Sequence, residues 1–226
     1  MTWVKICGTT SVEDARVAVE AGADAIGFVF AESPRRVTAE QVRKIAAQIP
    51  ASVEKIGVFV NESADHIRAI VREAGLTGVQ LQGDESEGLM AEVNAMGATN
   101  GQKLKVYRAM HLPHNCSREL NHGIRWSDGD ARPDAILLDT AHGQLRGGTG
   151  KQFDWNSAVP LVEVMRAQIP VIIAGGLNPE NVSEAIRLFQ PYGVDVVSGV
   201  EASPGKKDPE KVREFIRAAR RASVMV

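Results

Sequence analysis

Cysteine is nearly missing from this chain. Cys7 and Cys116 are the only two in 226 residues, which excludes a disulfide framework and a cysteine-rich metal site. An excess of one charge is missing too. The formal net charge of −2 provides no basic field to attract nucleic acid. No segment approaches the roughly 18 apolar residues that a membrane span needs. The first residues, Met1 to Gly8, lack the basic stretch and long apolar run of a secretory leader. These absences predict a cytoplasmic protein with neither a nucleic-acid nor a membrane partner. What is present is ordinary globular material, 44% hydrophobic and 24% charged, which suits a single domain spanning 1–226 with a substantial core.

Short apolar runs recur along the chain. Their composition predicts strands at Val4–Cys7, Ala25–Phe30, Lys55–Val60, Gly78–Leu81, Leu104–Ala109, Ala135–Asp139, Val171–Ala174 and Asp195–Ser198. Most are continuous rather than alternating, as expected when both faces of a sheet are covered. Helical signals fall between them. Thr10 with Glu13, and Thr38 with Gln41, have capping-box spacing. Asn178-Pro179 and Asp208-Pro209 each place a capping residue before a proline at the first helical position. Val182, Ala185, Ile186 and Phe189 repeat with helical period, as do Val212, Phe215, Ile216 and Ala219. Eight strands alternating with helices predict an α/β fold, a single-domain (β/α)8 TIM barrel. A doubly wound sheet is the competing architecture, but Cys7-Gly8-Thr9 after the first strand is no dinucleotide fingerprint. The polar stretch 111–133 has poor periodicity, and a short helix at 116–122 is the expected crossover there.

Barrel chemistry sits at the C-terminal ends of strands. Ile172-Ile-Ala-Gly-Gly-Leu-Asn-Pro-Glu-Asn-Val182 and Asp195-Val-Val-Ser-Gly-Val-Glu201 are apolar runs that end in glycine. Two neighbouring strand ends of this kind can offer backbone N–H groups to one anion, which predicts a phosphorylated small-molecule substrate. Strand-end position nominates Cys7, Asp139, Gly175, Gly176, Ser198 and Gly199. Cys7 and Asp139 carry the reactive side chains, and a thiol with a carboxyl over one mouth can act as a base and acid pair. A small buried hydrophobe and a helix cap are the competing readings of the two. Gly147-Gly-Thr-Gly-Lys-Gln152 does not match the nucleotide phosphate loop, because Leu145 and Gln152 stand where Gly and Ser or Thr are needed. A glycine-rich loop closing over a ligand fits better. The histidines show no zinc spacing, and His111 and His114 are expected to be solvated. Lys206-Lys207 is expected to be a solvated turn, with screening of the phosphate charge from a distance as the alternative. Lys5 is expected to face away from Cys7.

These residues together resemble the phosphoribosylanthranilate isomerase family. The resemblance is carried by Val4-Lys-Ile-Cys-Gly8, Gly22-Ala-Asp-Ala-Ile-Gly-Phe-Val-Phe30, Ser33-Pro-Arg35, Gly57-Val-Phe-Val-Asn61 and Val79-Gln-Leu81. It continues through Leu137-Leu-Asp-Thr140, Gly147 to Trp155, Gly175 to Val182 and Ser198 to Asp208, nearly end to end. It implies a barrel that needs neither metal nor cofactor, and an Amadori rearrangement of an aminoaldose phosphate in tryptophan biosynthesis. It further implies that Asp139 is the general acid and Cys7 the general base. Arg35 is then the partner of the substrate's carboxylate. Gly148 belongs to the closing loop, and Gly175, Gly176, Asn178, Ser198 and Gly199 hold the phosphate. Family members occur as monomers and as homodimers.

Asp139 in that role must hold a proton near neutrality, and Cys7 must have thiolate character. The chain departs from its relatives at Gln82, where many have histidine, at Val197, where many have serine, and at Arg36, where an aromatic is common. The 111–133 stretch is also longer than usual, and Cys116 in it has no family role. Another phosphosugar isomerase or epimerase barrel is the nearest alternative function. A non-catalytic sensor of phosphorylated ligands is the alternative from another class.

Overall fold

Runs of β-branched and apolar residues close into a ring of eight parallel strands. In this computed structural model, which describes residues 1–99, 102–113, 129–142, 145–146 and 154–224, the barrel strands follow one another in chain order. They are β1 (Trp3–Ile6), β2 (Ala25–Val29), β3 (Glu54–Phe59), β4 (Gly78–Leu81), β5 (Lys105–Leu112), β6 (Ala135–His142), β7 (Val171–Ile173) and β8 (Gly193–Val196). Each pairs in parallel with the next, and β8 pairs with β1 through Lys5↔Asp195 and Ile6↔Val196, which closes the ring. The helices are α1 (Val12–Ala21), α2 (Ala39–Ala46), α3 (Ala64–Ala74), α4 (Glu87–Asn94), α5 (Trp155–Arg166), α6 (Val182–Phe189) and α7 (Pro209–Ser223). Among the described residues, each strand but β5 is followed by one of them. The expected crossover helix at 116–122 lies outside the described residues, as does Cys116.

Alternation along the strands sorts the core into two layers. Val4, Ile6, Ile26, Phe28, Val79 and Leu81 face outward and merge with the apolar faces of the helices. Trp3, Ala25, Ile56, Tyr107, Leu137 and Ile172 face inward and form a smaller cluster inside the ring. Burying each large side chain of this kind stabilises the fold by about 1.5–3 kcal/mol. Among the described residues no helix is long and apolar enough to cross a membrane.

Helix starts follow the capping chemistry with two shifts. Thr38 and Gln41 form the expected reciprocal capping box on α2, and Asp208 caps α7 ahead of Pro209. On α1 the cap is Ser11, which accepts from Asp14 N. Thr10 instead donates its hydroxyl to Gly205 O at 2.6 Å, tying the first loop to the last. Asn178 caps only a tight turn, accepting from Glu180 N and Asn181 N, and α6 proper begins at Val182. The last strand also ends earlier than expected, because Ser198–Val200 coil into a single 3-10 turn.

Candidate active site

The C-terminal ends of β1, β6, β7 and β8 meet at one mouth. A cleft there is lined by Asp139, Ala174, Gly175, Gly176, Leu177, Asp195 and Ser198, so four of the nominated positions share one wall. Gly175 and Gly176 both have left-handed backbones, with φ of 78° and 71°, which turn the chain sharply after β7. Gly199 lies against the same loop. A Cβ placed on it would sit 1.9 Å from Leu177 O, so only glycine lets the two strand-end loops touch. The 3-10 turn that begins at Ser198 supplies N–H groups at the site barrels commonly use for phosphate. Asn178 contributes differently from expectation. Its N–H donates to Asn181 Oδ1 at 2.8 Å and its side-chain oxygen holds the turn, so it shapes the loop rather than facing the cleft.

Asp139 is 7% exposed and projects from β6. Its Oδ1 accepts from Thr140 N at 2.8 Å and its Oδ2 from Gln82 Nε2 at 3.1 Å. Burial raises its pKa above the ordinary carboxylate value, and Asp195 adds to the rise. The Thr140 N–H, His111 and Gln82 pull the other way without cancelling it. The environment therefore favours a carboxylic acid able to give up a proton. His111, expected to be solvated, belongs to β5 in register with Asp139, and its Nε2 lies 3.0 Å from Gln82 O.

Cys7 is 3% exposed at the end of β1, packed over Gly27 of β2. A Cβ on Gly27 would lie 2.5 Å from Cys7 Sγ and 2.9 Å from Lys5 Cε, so the missing side chain makes the room both occupy. The expected separation of Lys5 from Cys7 is wrong. Residues two apart in a strand share a face, and Lys5 points into the barrel on the same side as Cys7. Its ammonium is 1% exposed and pairs with Asp195 Oδ1 at 3.1 Å. Although burial works against that charge, Asp195 and Cys7 keep the Lys5 pKa above its ordinary value. For Cys7 burial also comes first and raises the thiol pKa, while the Lys5 and Lys207 ammonium groups oppose it. The positive neighbours the thiolate needs are present, but burial outweighs them.

Lys207 overturns a second expectation. Far from lying in a solvated turn, it is 2% exposed, with Nζ donating to Cys7 O at 2.6 Å, Val197 O at 3.0 Å and Glu201 Oε1 at 3.3 Å. Glu201 in turn holds Arg35, which donates through Nε and Nη2 at 2.8 and 2.7 Å. This two-pronged clamp fixes the guanidinium plane near the end of β1 and leaves Nη1 outside it. Burial opposes the Glu201 charge, yet Arg35 and Lys207 hold its pKa below the ordinary value. Gly148 and the rest of the 147–151 loop lie outside the described residues.

Sequence reasoning missed Lys5, Gln80, Gln82, Asp195, Glu201 and Lys207 as parts of this centre. Two of them carry a readable signal. Lys5 has the parity of Cys7, and Asp195 is a lone charge within the apolar run Val194-Asp-Val-Val197.

Comparison with known proteins decides the family. The model of N-(5'-phosphoribosyl)anthranilate (PRA) isomerase matches residues 4–218. The chain belongs to the PRA isomerase family. A relative from Pelobacter propionicus named N-(5'-phosphoribosyl)anthranilate isomerase is 44% identical over 97% of this chain and 96% of its own length. The crystal structure of the Thermotoga maritima PRA isomerase superposes with a TM-score of 0.80 at 40% identity, covering 97% of this chain and 99% of that one. A second solved PRA isomerase, in complex with reduced 1-(o-carboxyphenylamino)-1-deoxyribulose 5-phosphate, gives 0.77 at 37% identity, covering 97% and 99%. These PRA isomerases share the (β/α)8 barrel found here.

Proposed function

We propose that this chain, acting as one catalytic domain without metal or cofactor, isomerises N-(5-phosphoribosyl)anthranilate to 1-(2-carboxyphenylamino)-1-deoxyribulose 5-phosphate in tryptophan biosynthesis. The observation that carries the reading is the placing of a buried Asp139 and a buried Cys7 beside Lys5 and Lys207 at strand ends around one mouth. Family membership supports it. Asp139 gives its proton to the furanose ring oxygen as the bond from that oxygen to C1′ breaks, leaving a Schiff base with the anthranilate nitrogen. Cys7, once its thiol has lost its proton to water and the Lys5 and Lys207 ammonium groups stabilise the thiolate against burial, takes the proton from C2′, and the electron pair moves to form the enolamine. Loss of the enol proton and protonation at C1′ then give the ketone, so atoms and electrons balance within one molecule.

The rest of the mouth suits the two ends of that substrate. The phosphate rests against the Gly175-Gly176 turn and the Ser198-Gly199 backbone, where the 3-10 turn starts. Arg35, held in place by Glu201, presents its remaining guanidinium edge to the anthranilate carboxylate. Product analysis tests the reading. Incubation of the protein with the phosphoribosylated anthranilate yields a product of unchanged mass that carries a ketone. A hydrolysed or unaltered substrate contradicts it.

A further inference from the structure

Asp139 is joined to the ammonium of Lys5 by a continuous buried chain that crosses the barrel interior. Lys5 Nζ donates to Gln80 Oε1 at 2.6 Å, Gln80 Nε2 to Gln82 Oε1 at 2.5 Å, and Gln82 Nε2 to Asp139 Oδ2 at 3.1 Å. The four residues are 1%, 3%, 6% and 7% exposed in that order. Gln80 lies in β4 and Gln82 just beyond it, and their spacing of two puts both amides on the inward face.

The direction of donation along this chain is forced. An ammonium group can only donate, so Gln80 must turn its carbonyl to Lys5 and its NH2 to Gln82. Gln82 must then accept with its carbonyl, and it can only donate to what comes next. Flipping either amide would set donor against donor in a dry site, which burial penalises. The charge on Lys5 thus determines that Asp139 meets an N–H.

We propose that Lys5, Gln80 and Gln82 form a positioning relay, in which the ammonium orients two amides so that a fixed N–H donor holds the Asp139 carboxyl and steadies the carboxylate left after proton transfer. The relay rests on the acid role proposed for Asp139. Among the described residues each carboxyl oxygen accepts one hydrogen bond, so a second lone pair remains for the proton to be delivered. The other groups facing Asp139 among the described residues are the Thr140 N–H on its own strand, His111 on β5 and Asp195 on β8, which is itself paired with Lys5. Asp195 opposes the carboxylate, so a donor that favours it has a specific task.

The test is a titration read without substrate. With aspartate labelled by 13C at Cγ, and Asp139→Asn used to assign the signal, the Asp139 midpoint is followed in several variants. Gln82→Met keeps the length but removes the donor, and moves the midpoint up by about one pH unit. Gln80→Met leaves the residue touching Asp139 intact, and moves it up by a smaller step because Gln82 is no longer oriented. Gln82→Asn, polar but too short to reach, serves as a second fold-sparing variant and moves it in the same direction. Gln82→His, which restores a donor, brings it back towards wild type. In turnover, Gln82→Met lowers kcat about tenfold while KM stays within about twofold. A midpoint that stays put in the Gln82 variants overturns the relay. So does one that moves with Gln82→Met but not with Gln80→Met, since that leaves a single contact. A wild-type protein that turns nothing over defeats the proposed function but leaves the titration result standing on its own.

Discussion

Lys207 carries its charge in a place that water does not reach, and three oxygens surround its ammonium. Removing one member of such a buried set leaves the others unpaired, and that is what makes it costly. Lys207→Met is therefore expected to lose about 3–5 kcal/mol of stability in urea unfolding. Glu201 gives the matching pH dependence. Its folded pKa lies below the ordinary 4.5, so it contributes stability above that pH and loses it as pH falls through the folded value. Stability measured against pH should fall in that acidic window for wild type and more shallowly for Glu201→Gln. Neither role was legible in the sequence, because Lys206-Lys207 reads as two cations after a glycine. Only the fold shows that Lys207 alone turns in, with Lys206 left outside. The Lys5 error was of a different kind, since its parity with Cys7 was there to read.

At the scale of elements, local chemistry predicted best where it closes on itself. The Thr38–Gln41 box needs nothing beyond its own turn, and Thr38→Ala should cost about 1 kcal/mol in unfolding while turnover is unchanged. The Thr10–Glu13 spacing looked equally good, yet Thr10 is drawn to Gly205 across the mouth and Ser11 takes the cap. A tertiary contact overrode a local preference. The loops after β7 and β8 depend on their mutual approach, which a glycine run suggests but does not measure. Gly199→Ala pushes a methyl group into Leu177 O and should raise KM at least about tenfold, with a smaller loss in kcat, in steady-state kinetics.

The whole molecule is a ring, and α7 brings its end back to its beginning. Arg220 on α7 donates to Thr2 O and Gly22 O, and Phe215 is fully buried against the neighbouring elements. Phe215→Ala should cost about 3–5 kcal/mol in urea unfolding, comparable to losing a central core residue, although it lies near the chain end. The strand rhythm and helix periods made the barrel legible, because a closed parallel sheet imposes them on every repeat. Strand-end position and resemblance also pointed to Cys7, Asp139, Gly175, Gly176 and Gly199, which the fold brings to one end of the barrel. The polar lining between them was not legible, since it depends on which inward residues face each other across the ring. The most direct test of the account is the decay of phosphoribosylanthranilate fluorescence, with substrate generated in situ and no metal added. Wild type should accelerate it, and Asp139→Asn and Cys7→Ser should each lose at least about 100-fold of that acceleration while remaining folded. Undiminished acceleration in either variant would contradict the acid and base assignment, and none from wild type would contradict the function itself.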